Sequence, residues 1–257
     1  MTEFGNLESQ LLIWMIAMIR PGAAFLAAPV YGATAVPVQL RLVIALGVGI
    51  PAAAASGMTL PPEGMVSFGG AMLVASEILA GLALGFAVQI GFASALVAGE
   101  VISNAMGLGF ASMNNPLGGQ SSPAIGQFLS MLATFLFLAN GGHLILVSII
   151  VESYVALPPG TGFLSAAAIA GMAKFGALVF AAGLSIALPV GFAMILVQIV
   201  MAVIARSTPT LNLFAVGMPA TLLAGIVLLA IALPSMAEAI THAINAGLDQ
   251  ARIVAAG

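Results

Sequence analysis

The stretch that decides the fold is FGALVFAAGLSIALPVGFAMILVQIVMAVIA, which runs from Phe175 to Ala205 between Lys174 and Arg206 and carries no charge. Two similar charge-free runs occupy residues 78–99 and 207–237. A helix needs roughly 20 predominantly apolar residues to cross a bilayer, and each run is at least that long. None of the runs alternates apolar and polar residues as membrane strands do. The sequence therefore predicts an all-α, polytopic membrane protein.

The composition of the chain leads to the same class. Of its 257 residues, 62% are hydrophobic and 5% are charged, with a mean hydropathy of +1.22. A soluble domain carries roughly 25% charged residues. No polar linker divides the chain, so we expect one domain over residues 1–257. The lack of cysteine excludes disulfides, thiol catalysis and cysteine-based metal sites, and a net charge of -3 gives no support for a nucleic-acid partner.

The distribution of prolines predicts bent helices. Pro21, Pro29 and Pro37 recur at regular spacing near the N-terminus, and Pro51 and Pro189 interrupt apolar spans. Proline removes one helical hydrogen bond and bends or ends a helix. Shorter helices are expected over residues 7–19, 124–138 and 144–155. A stretch from residue 65 to 113 is too long for one bilayer crossing, so we expect it to fold into a hairpin or to leave the membrane.

Enzyme motifs are missing from the sequence. It contains no HExxH, no GxSxG and no Walker A motif. The histidines, His143 and His242, are far apart along the chain. The sequence thus predicts a protein that is not an enzyme and that holds no cofactor and no metal ion.

Charged residues border the apolar runs at Glu77, Glu100, Glu152, Lys174 and Arg206. A charge at the bilayer centre costs about 2.5–3.5 kcal/mol on insertion scales. One interpretation puts these residues at helix ends or pairs them with the opposite charges of a partner subunit. The other makes the protein an ion-coupled small-molecule transporter with Glu77 or Glu100 as its proton site. Five basic residues are too few to set the membrane orientation by the positive-inside rule.

A ladder of small residues follows Glu77. Gly81 and Gly85 form a GxxxG motif, and Gly91, Ala95 and Gly99 continue the spacing on a shifted face. Small residues at this spacing let two helices approach closely. The contact lies either within the chain or at a subunit interface.

The neutral segment GFASMNNPLGGQSSPAIGQFL, residues 109–129, interrupts the apolar sequence without a single charged side chain. Non-helical backbone at membrane depth is tolerated where it is buried in protein or lines an aqueous cavity. Apolar side chains beside flexible glycines suit a constriction that closes by excluding water. The segment is either a gating loop or a plain surface turn. Its candidate gate residues are Phe110, Met113, Asn114, Asn115, Pro116, Gly118, Gly119 and Gln120.

Three stretches resemble one known family. The first is RPGAAFLAAPVYGATAVPVQLRLVIAL at residues 20–46, and the second pairs GEVISNAMGLGFASMNNP with FLFLANGGHLILVSIIVESYVALPPG. The third, RSTPTLNLFAVGMP at residues 206–219, fits R-x-x-P-x-x-N-x-F-x-x-G-x-P. Together they are similar to the FliR/SctT family of type III secretion export-gate subunits.

The resemblance implies a passive protein-export channel. Its members assemble with FliP-like and FliQ-like subunits, joined by an FlhB-like protein, and pass unfolded flagellar proteins across the bacterial inner membrane. A P-like part followed by a Q-like hairpin is expected, in a multi-pass subunit of the flagellar basal body that is partly displaced toward the periplasm. Membrane lipid is expected to contact part of the subunit.

The resemblance also assigns site residues. Residues 110–122 correspond to the plug loop of the family, and assembly roles fall on Arg20, Pro37, Arg41, Glu100, Arg206, Pro209, Asn212, Phe214, Gly217 and Pro219. Two departures from the family pattern exist. Asn114 and Asn115 stand where an acidic residue is common, and Thr210 stands where a glutamine often follows the proline.

Overall fold

The computed structural model describes residues 2–58, 64–108, 124–160, 164–207 and 213–257, with no side-chain description for residues 2–8 and 213–216. Within these ranges every regular element is a helix, which confirms the predicted all-α class. The helices are α1 Thr2–Ala17, α2 Ile19–Ala27, α3 Val38–Ser56, α4 Phe68–Ala105, α5 Ala124–Ala139, α6 Gly142–Ala156, α7 Ala166–Phe175, α8 Leu178–Ser207 and α9 Leu213–Ala255.

Helices long and apolar enough to cross a membrane confirm the polytopic prediction. Among the described residues five such spans occur, listed with their bounds as Ser9–Ala27, Val38–Ser56, Phe68–Ala105, Ala166–Ser207 and Gly217–Ala255. A sixth span results if α5 and α6, which bend by 66° at a short break, are counted as one broken crossing. The bend falls at Gly141, whose φ of +68° an L side chain rarely adopts.

Helix α4 departs from the sequence prediction. The expected hairpin is wrong, because the 38 residues from Phe68 to Ala105 form one uninterrupted helix. At about 1.5 Å per residue it is about 57 Å long, against a hydrocarbon core of about 30 Å. The helix was predicted to extend to Met113 but ends at Ala105. Two residues further on, Gly107 takes a φ of +81°. The N–H of Leu108 then bonds back to the Ser103 carbonyl at 3.0 Å, as in a glycine C-cap.

Prolines change the helices less than expected. Pro51 and Pro189 do not end α3 and α8, and α9 runs through both Pro219 and Pro234. Proline removes only one donor, and neighbouring groups or partners can satisfy the freed carbonyl. Near Pro21 the helix is interrupted at Met18 alone, between the end of α1 at Ala17 and the start of α2 at Ile19, and the two helices form one apolar span, Ser9–Ala27. Helix α7 was not predicted. Ser165 starts it by accepting the N–H of Ala168 at 3.0 Å.

The chain forms two compact units, each with its own core. The first comprises Met1–Ile90, Phe137–Ala177 and Ile244–Gly257, and the second comprises Gly91–Leu136 and Leu178–Ala243. The largest fully buried apolar side chains of the first unit are Phe25, Phe137, Leu84, Leu146, Ile149 and Ile150, and those of the second are Ile102, Leu129, Ile186 and Met194. The expected single domain stays a prediction.

Candidate functional site

The first unit has a buried ionic centre built on Arg20 and Glu77. Arg20 is 2% exposed and Glu77 is 1% exposed. The guanidinium donates from Nη2 to Oε1 at 2.7 Å and from Nε to Oε2 at 2.9 Å, which is the bidentate geometry that suits this pair. Two charges far apart in the sequence therefore neutralise each other inside the same chain.

The remaining donors of Arg20 bind the C-terminal end of α6. Its Nη1 donates to the carbonyl of Ser153 at 2.9 Å and to the Ser153 hydroxyl at 3.1 Å. Its Nη2 also donates to the carbonyl of Leu157 at 2.8 Å. A guanidinium has five N–H donors, and each has an acceptor here. Because the C-terminus of a helix carries partial negative charge, the cation also complements the dipole of α6.

Tyr154 completes this centre from the same helix. Its ring lies over the guanidinium, with 4.3 Å between the Arg20 Cζ and the ring centroid, a cation–π contact. Its hydroxyl donates to the Ala17 carbonyl at 2.7 Å. One polar cluster thus joins α1, α2, α4 and α6.

The spacing of small residues on α4 explains why Glu77 reaches Arg20. Glu77, Gly81 and Gly85 lie one helical turn apart and share a face. A Cβ on Gly81 would collide with the Arg20 carbonyl, and a Cβ on Gly85 would collide with the Ala24 carbonyl. The glycines let α4 lie directly against α2, so this GxxxG motif packs within the chain. The sequence left open whether these two glycines pack within the chain or at a subunit interface, and the structure shows that they pack within the chain.

A second arginine, Arg41, stabilises the connection between α2 and α3. Its Nη2 donates to the carbonyls of Ala33 at 2.6 Å and Val36 at 3.0 Å. Pro37 precedes the first residue of α3 and accepts the N–H of Leu40 at 3.1 Å. In the same connection Val30 has a φ of +69°, an uncommon and strained conformation for a β-branched residue.

The aromatic residue of this connection packs inward. The rings of Tyr31 and Phe25 have centroids 4.6 Å apart. The Tyr31 hydroxyl donates to the His143 carbonyl at 3.4 Å. Burial raises the pKa of the Tyr31 hydroxyl from its ordinary value.

The other predicted charged residues do not join the centre. Glu100 is exposed on α4, Arg206 is exposed in the last turn of α8, and Glu152 and Lys174 are also exposed. For Glu77 the structure corrects the interpretation that placed the charged residues at helix ends or paired them with a partner subunit, and it does so in two respects. Glu77 lies inside a helix rather than at its end, and its partner belongs to the same chain. No group of three or more His, Cys, Asp or Glu that suits a metal ion occurs among the described residues.

The remaining predicted site residues divide into two groups. In α9, Gly217 is buried and Pro219 is exposed, while the side chain of Phe214 is not described. Outside the described residues lie the whole predicted gate and two motif positions, namely Phe110, Met113, Asn114, Asn115, Pro116, Gly118, Gly119, Gln120, Pro209 and Asn212.

Sequence reasoning missed Ser153 and Tyr154 as members of the ionic centre. Two sequence patterns pointed toward this centre. Two opposite charges, Arg20 and Glu77, each stand beside apolar sequence, and Glu77, Gly81 and Gly85 are spaced one helical turn apart. The sequence did not indicate that Arg20 would contact Ser153, because 133 positions separate the two residues.

The second unit presents an extended apolar surface on α8 and α9. Phe180 is 72% exposed, Phe192 is 62% exposed and Ile231 is 72% exposed. In the span Ala166–Ser207 only 22% of an apolar stretch of 18 residues is buried, and in the span Gly217–Ala255 only 11% of such a stretch is buried. Surface of this extent requires lipid or protein around it.

Comparisons with known proteins place the chain in a family. A family model described as bacterial export proteins, family 1, matches residues 11–247. The flagellar biosynthetic protein FliR of Escherichia coli K12 is 33% identical over 234 residues, which cover 91% of this chain and 89% of that protein. FliR of Pectobacterium carotovorum is 32% identical over 240 residues, covering 92% and 91%. FliR of Caulobacter vibrioides is 30% identical over 244 residues, covering 93% and 96%.

These matches extend over nearly the whole chain, and they confirm the resemblance found in the sequence motifs. They also agree with the apolar helices of membrane-spanning length. The chain therefore belongs to bacterial export protein family 1 and is a multi-pass membrane component of the flagellar export apparatus.

Proposed function

We propose that the chain is a subunit of the flagellar type III export gate. It forms, with FliP-like and FliQ-like subunits and an FlhB-like protein, the channel through which unfolded flagellar proteins cross the inner membrane. The gate belongs to the flagellar basal body, partly displaced toward the periplasm, and the subunit is a passive conduit without catalysis. The observation that carries the proposal is the uncovered apolar surface of α8 and α9 in a chain of the export family.

Two prolines favour protein rather than lipid around this surface. Pro189 cannot donate to the Ser185 carbonyl, and Pro234 cannot donate to the Ala230 carbonyl. Ser185 and Ala230 are both exposed. Lipid tails have no hydrogen-bond donor, so a freed carbonyl at membrane depth is tolerated where neighbouring protein or water satisfies it. Sister subunits packed on α8 and α9 provide such donors.

The predicted gate completes the proposal. Residues 110–122 separate α4 from α5 and carry no charge. A fixed charge at a constriction would attract some export substrates and repel others, whereas a neutral loop treats all passing chains alike. The exposed Glu100 and Arg206 are available for contacts with sister subunits during assembly.

Copurification tests the proposal. A tagged chain is extracted from its native membrane in mild detergent, and FliP-like and FliQ-like proteins are expected to elute with it as one complex. Ile226→Glu, on the exposed face of α9, is expected to abolish this association. Arg252→Ala, at an exposed position of the first unit, is the matched control and is expected to leave it intact. A wild-type chain that elutes as a stable monomer contradicts the proposal.

The alternative of an ion-coupled small-molecule transporter finds no support among the described residues. Both carboxylate oxygens of Glu77 are bound by Arg20, so this group is held in place by the ion pair. Glu100 is exposed, and no group of three or more His, Cys, Asp or Glu that suits a metal ion occurs in the described ranges. If the alternative were right, Glu100→Gln would abolish substrate uptake by the purified chain alone.

A further inference from the structure

We propose that Tyr154 is a positioning residue that replaces the hydrogen-bond donor removed from the first membrane span by Pro21, and thereby fixes the angle between α1 and α2. The inference concerns the geometry of the chain itself and does not depend on the proposed export function. It rests on the Ala17 carbonyl, which lies at the junction of α1 and α2 and accepts the hydroxyl of Tyr154.

The chemistry of Pro21 creates the need for this bond. In a continuous helix the carbonyl of residue 17 accepts the N–H of residue 21, and proline has no N–H. The bonds on either side are intact. Met18 N–H donates to the Trp14 carbonyl at 3.2 Å, and Gly22 N–H donates to the Met18 carbonyl at 2.9 Å. The span is therefore close to a continuous helix with one carbonyl deprived of its normal donor.

Water is not placed to satisfy that carbonyl. Ala17 is 0% exposed, and its neighbour Ile16 is 2% exposed. A buried carbonyl without a partner is costly, and the great majority of such groups are bonded. The Tyr154 hydroxyl lies 2.7 Å from the Ala17 oxygen and supplies the bond from a different helix.

The position of Tyr154 is set by the surrounding centre. Its ring stacks on Arg20, which in turn binds Glu77 and the carbonyls at the end of α6. The ring therefore has little freedom, and its hydroxyl holds the junction at one distance from α6. A helix that contains a proline, and whose freed carbonyl is bound in this way, is expected to keep one angle at the proline instead of a range of angles.

Distance measurements between spin labels test the inference on the full-length chain. The protein has no cysteine of its own, so Leu11→Cys and Leu26→Cys place labels cleanly on exposed positions of α1 and α2, one on each side of the junction. The labelled chain that keeps both Pro21 and Tyr154 is expected to give one narrow distribution of distances between the two labels. Tyr154→Phe keeps the ring on Arg20 but removes the donor, and it is expected to broaden or shift the distribution.

Rescue distinguishes positioning from general packing. Pro21→Ala restores an N–H that can donate to the Ala17 carbonyl, so the double variant Pro21→Ala/Tyr154→Phe is expected to regain a narrow distribution. The ratio of folded to unfolded protein is expected to fall about tenfold in Tyr154→Phe, as for a buried acceptor left unsatisfied, and to recover in the double variant. If Tyr154→Phe does not accumulate at all, recovery of folded protein in the double variant is the supporting result.

The other tyrosine of the chain is the matched control. Tyr31 also donates to a backbone carbonyl, that of His143, but no proline follows His143 one turn later in α6. Tyr31→Phe is therefore expected to show no rescue by Pro21→Ala. The inference is overturned if Tyr154→Phe leaves the distance distribution unchanged, or if Pro21→Ala fails to restore either the distribution or the folded protein.

Discussion

The guanidinium of Arg20 and the carboxylate of Glu77 form a bidentate ion pair, with N–O distances of 2.7 and 2.9 Å, although 57 positions separate the two residues. Both side chains are almost fully buried. A buried ion pair is weak support for net stability, since desolvation offsets much of the attraction, but removal of one partner leaves an uncompensated charge. The pair therefore makes the mutual position of α2 and α4 sensitive to either residue.

Glu77→Gln is expected to destabilise the chain by about 3–5 kcal/mol, because Arg20 is left buried without its counter-charge. Thermal unfolding in detergent measures the change. Asp249→Asn is the matched control, as it removes one carboxylate from the exposed pair with Arg252, whose side chains are 52% and 65% exposed. Such surface pairs contribute about 0–1 kcal/mol. Equal losses in the two variants contradict the structural role of the buried pair.

Gly81→Ala is expected to destabilise the chain by about 1–3 kcal/mol, the usual cost of forcing an extra methyl group into a packed interface. The added Cβ collides with the backbone carbonyl of Arg20, so α4 moves away from α2 and strains the ion pair.

The same substitution at Gly47 is the control for this prediction. Gly47 lies inside α3 with open space where its Cβ would be. Alanine favours a helix over glycine by about 1 kcal/mol, so Gly47→Ala is expected to be neutral or stabilising. The changes in the free energy of unfolding caused by the two substitutions must differ in sign or clearly in size. Equal changes refute the close contact of α2 and α4.

Much of the fold was predictable from apolar run length. The predicted helices at residues 124–138 and 144–155 lie within α5 and α6, and the charge-free run of residues 175–205 begins at the last residue of α7 and extends through most of α8. Run length alone did not decide between a hairpin and a helix that leaves the membrane for residues 65–113, and the single helix α4 contradicts the hairpin. Helix α7 escaped prediction because its short alanine-rich segment begins at a single capping serine, Ser165.

The candidate site was less predictable than the fold. Arg20 was identified by family motif and Glu77 by its place beside an apolar run, but nothing local links them. Pairing between distant positions is a property of packing, here set by the glycines of α4. The role of Tyr154 could not be predicted for the same reason, since the carbonyl that its hydroxyl binds belongs to Ala17, 137 positions away.

The strained backbone at Val30 gives a further prediction. A positive φ costs a non-glycine residue about 1–3 kcal/mol, and glycine adopts this conformation freely. Val30→Gly is therefore expected to leave stability unchanged or raised, as seen in thermal unfolding. Val36→Gly, at a half-buried position of the same connection without positive φ, is expected to lower stability by about 1 kcal/mol. Similar losses in both variants mean that Val30 is not strained.

Deletion of residues 114–120 tests the gating role predicted for the neutral segment. If these residues close the channel, the deletion removes the barrier to ions while the transmembrane helices still assemble, because α4 and α5 remain in place on either side. Cells that produce the deletion are expected to become sensitive to salt and to show ion conductance across the inner membrane. Gln120→Asn, which keeps the loop neutral and full-length, is expected to remain sealed. Copurification with the sister subunits shows whether the deleted chain has assembled, and an assembled complex with unchanged ion permeability contradicts the gating role.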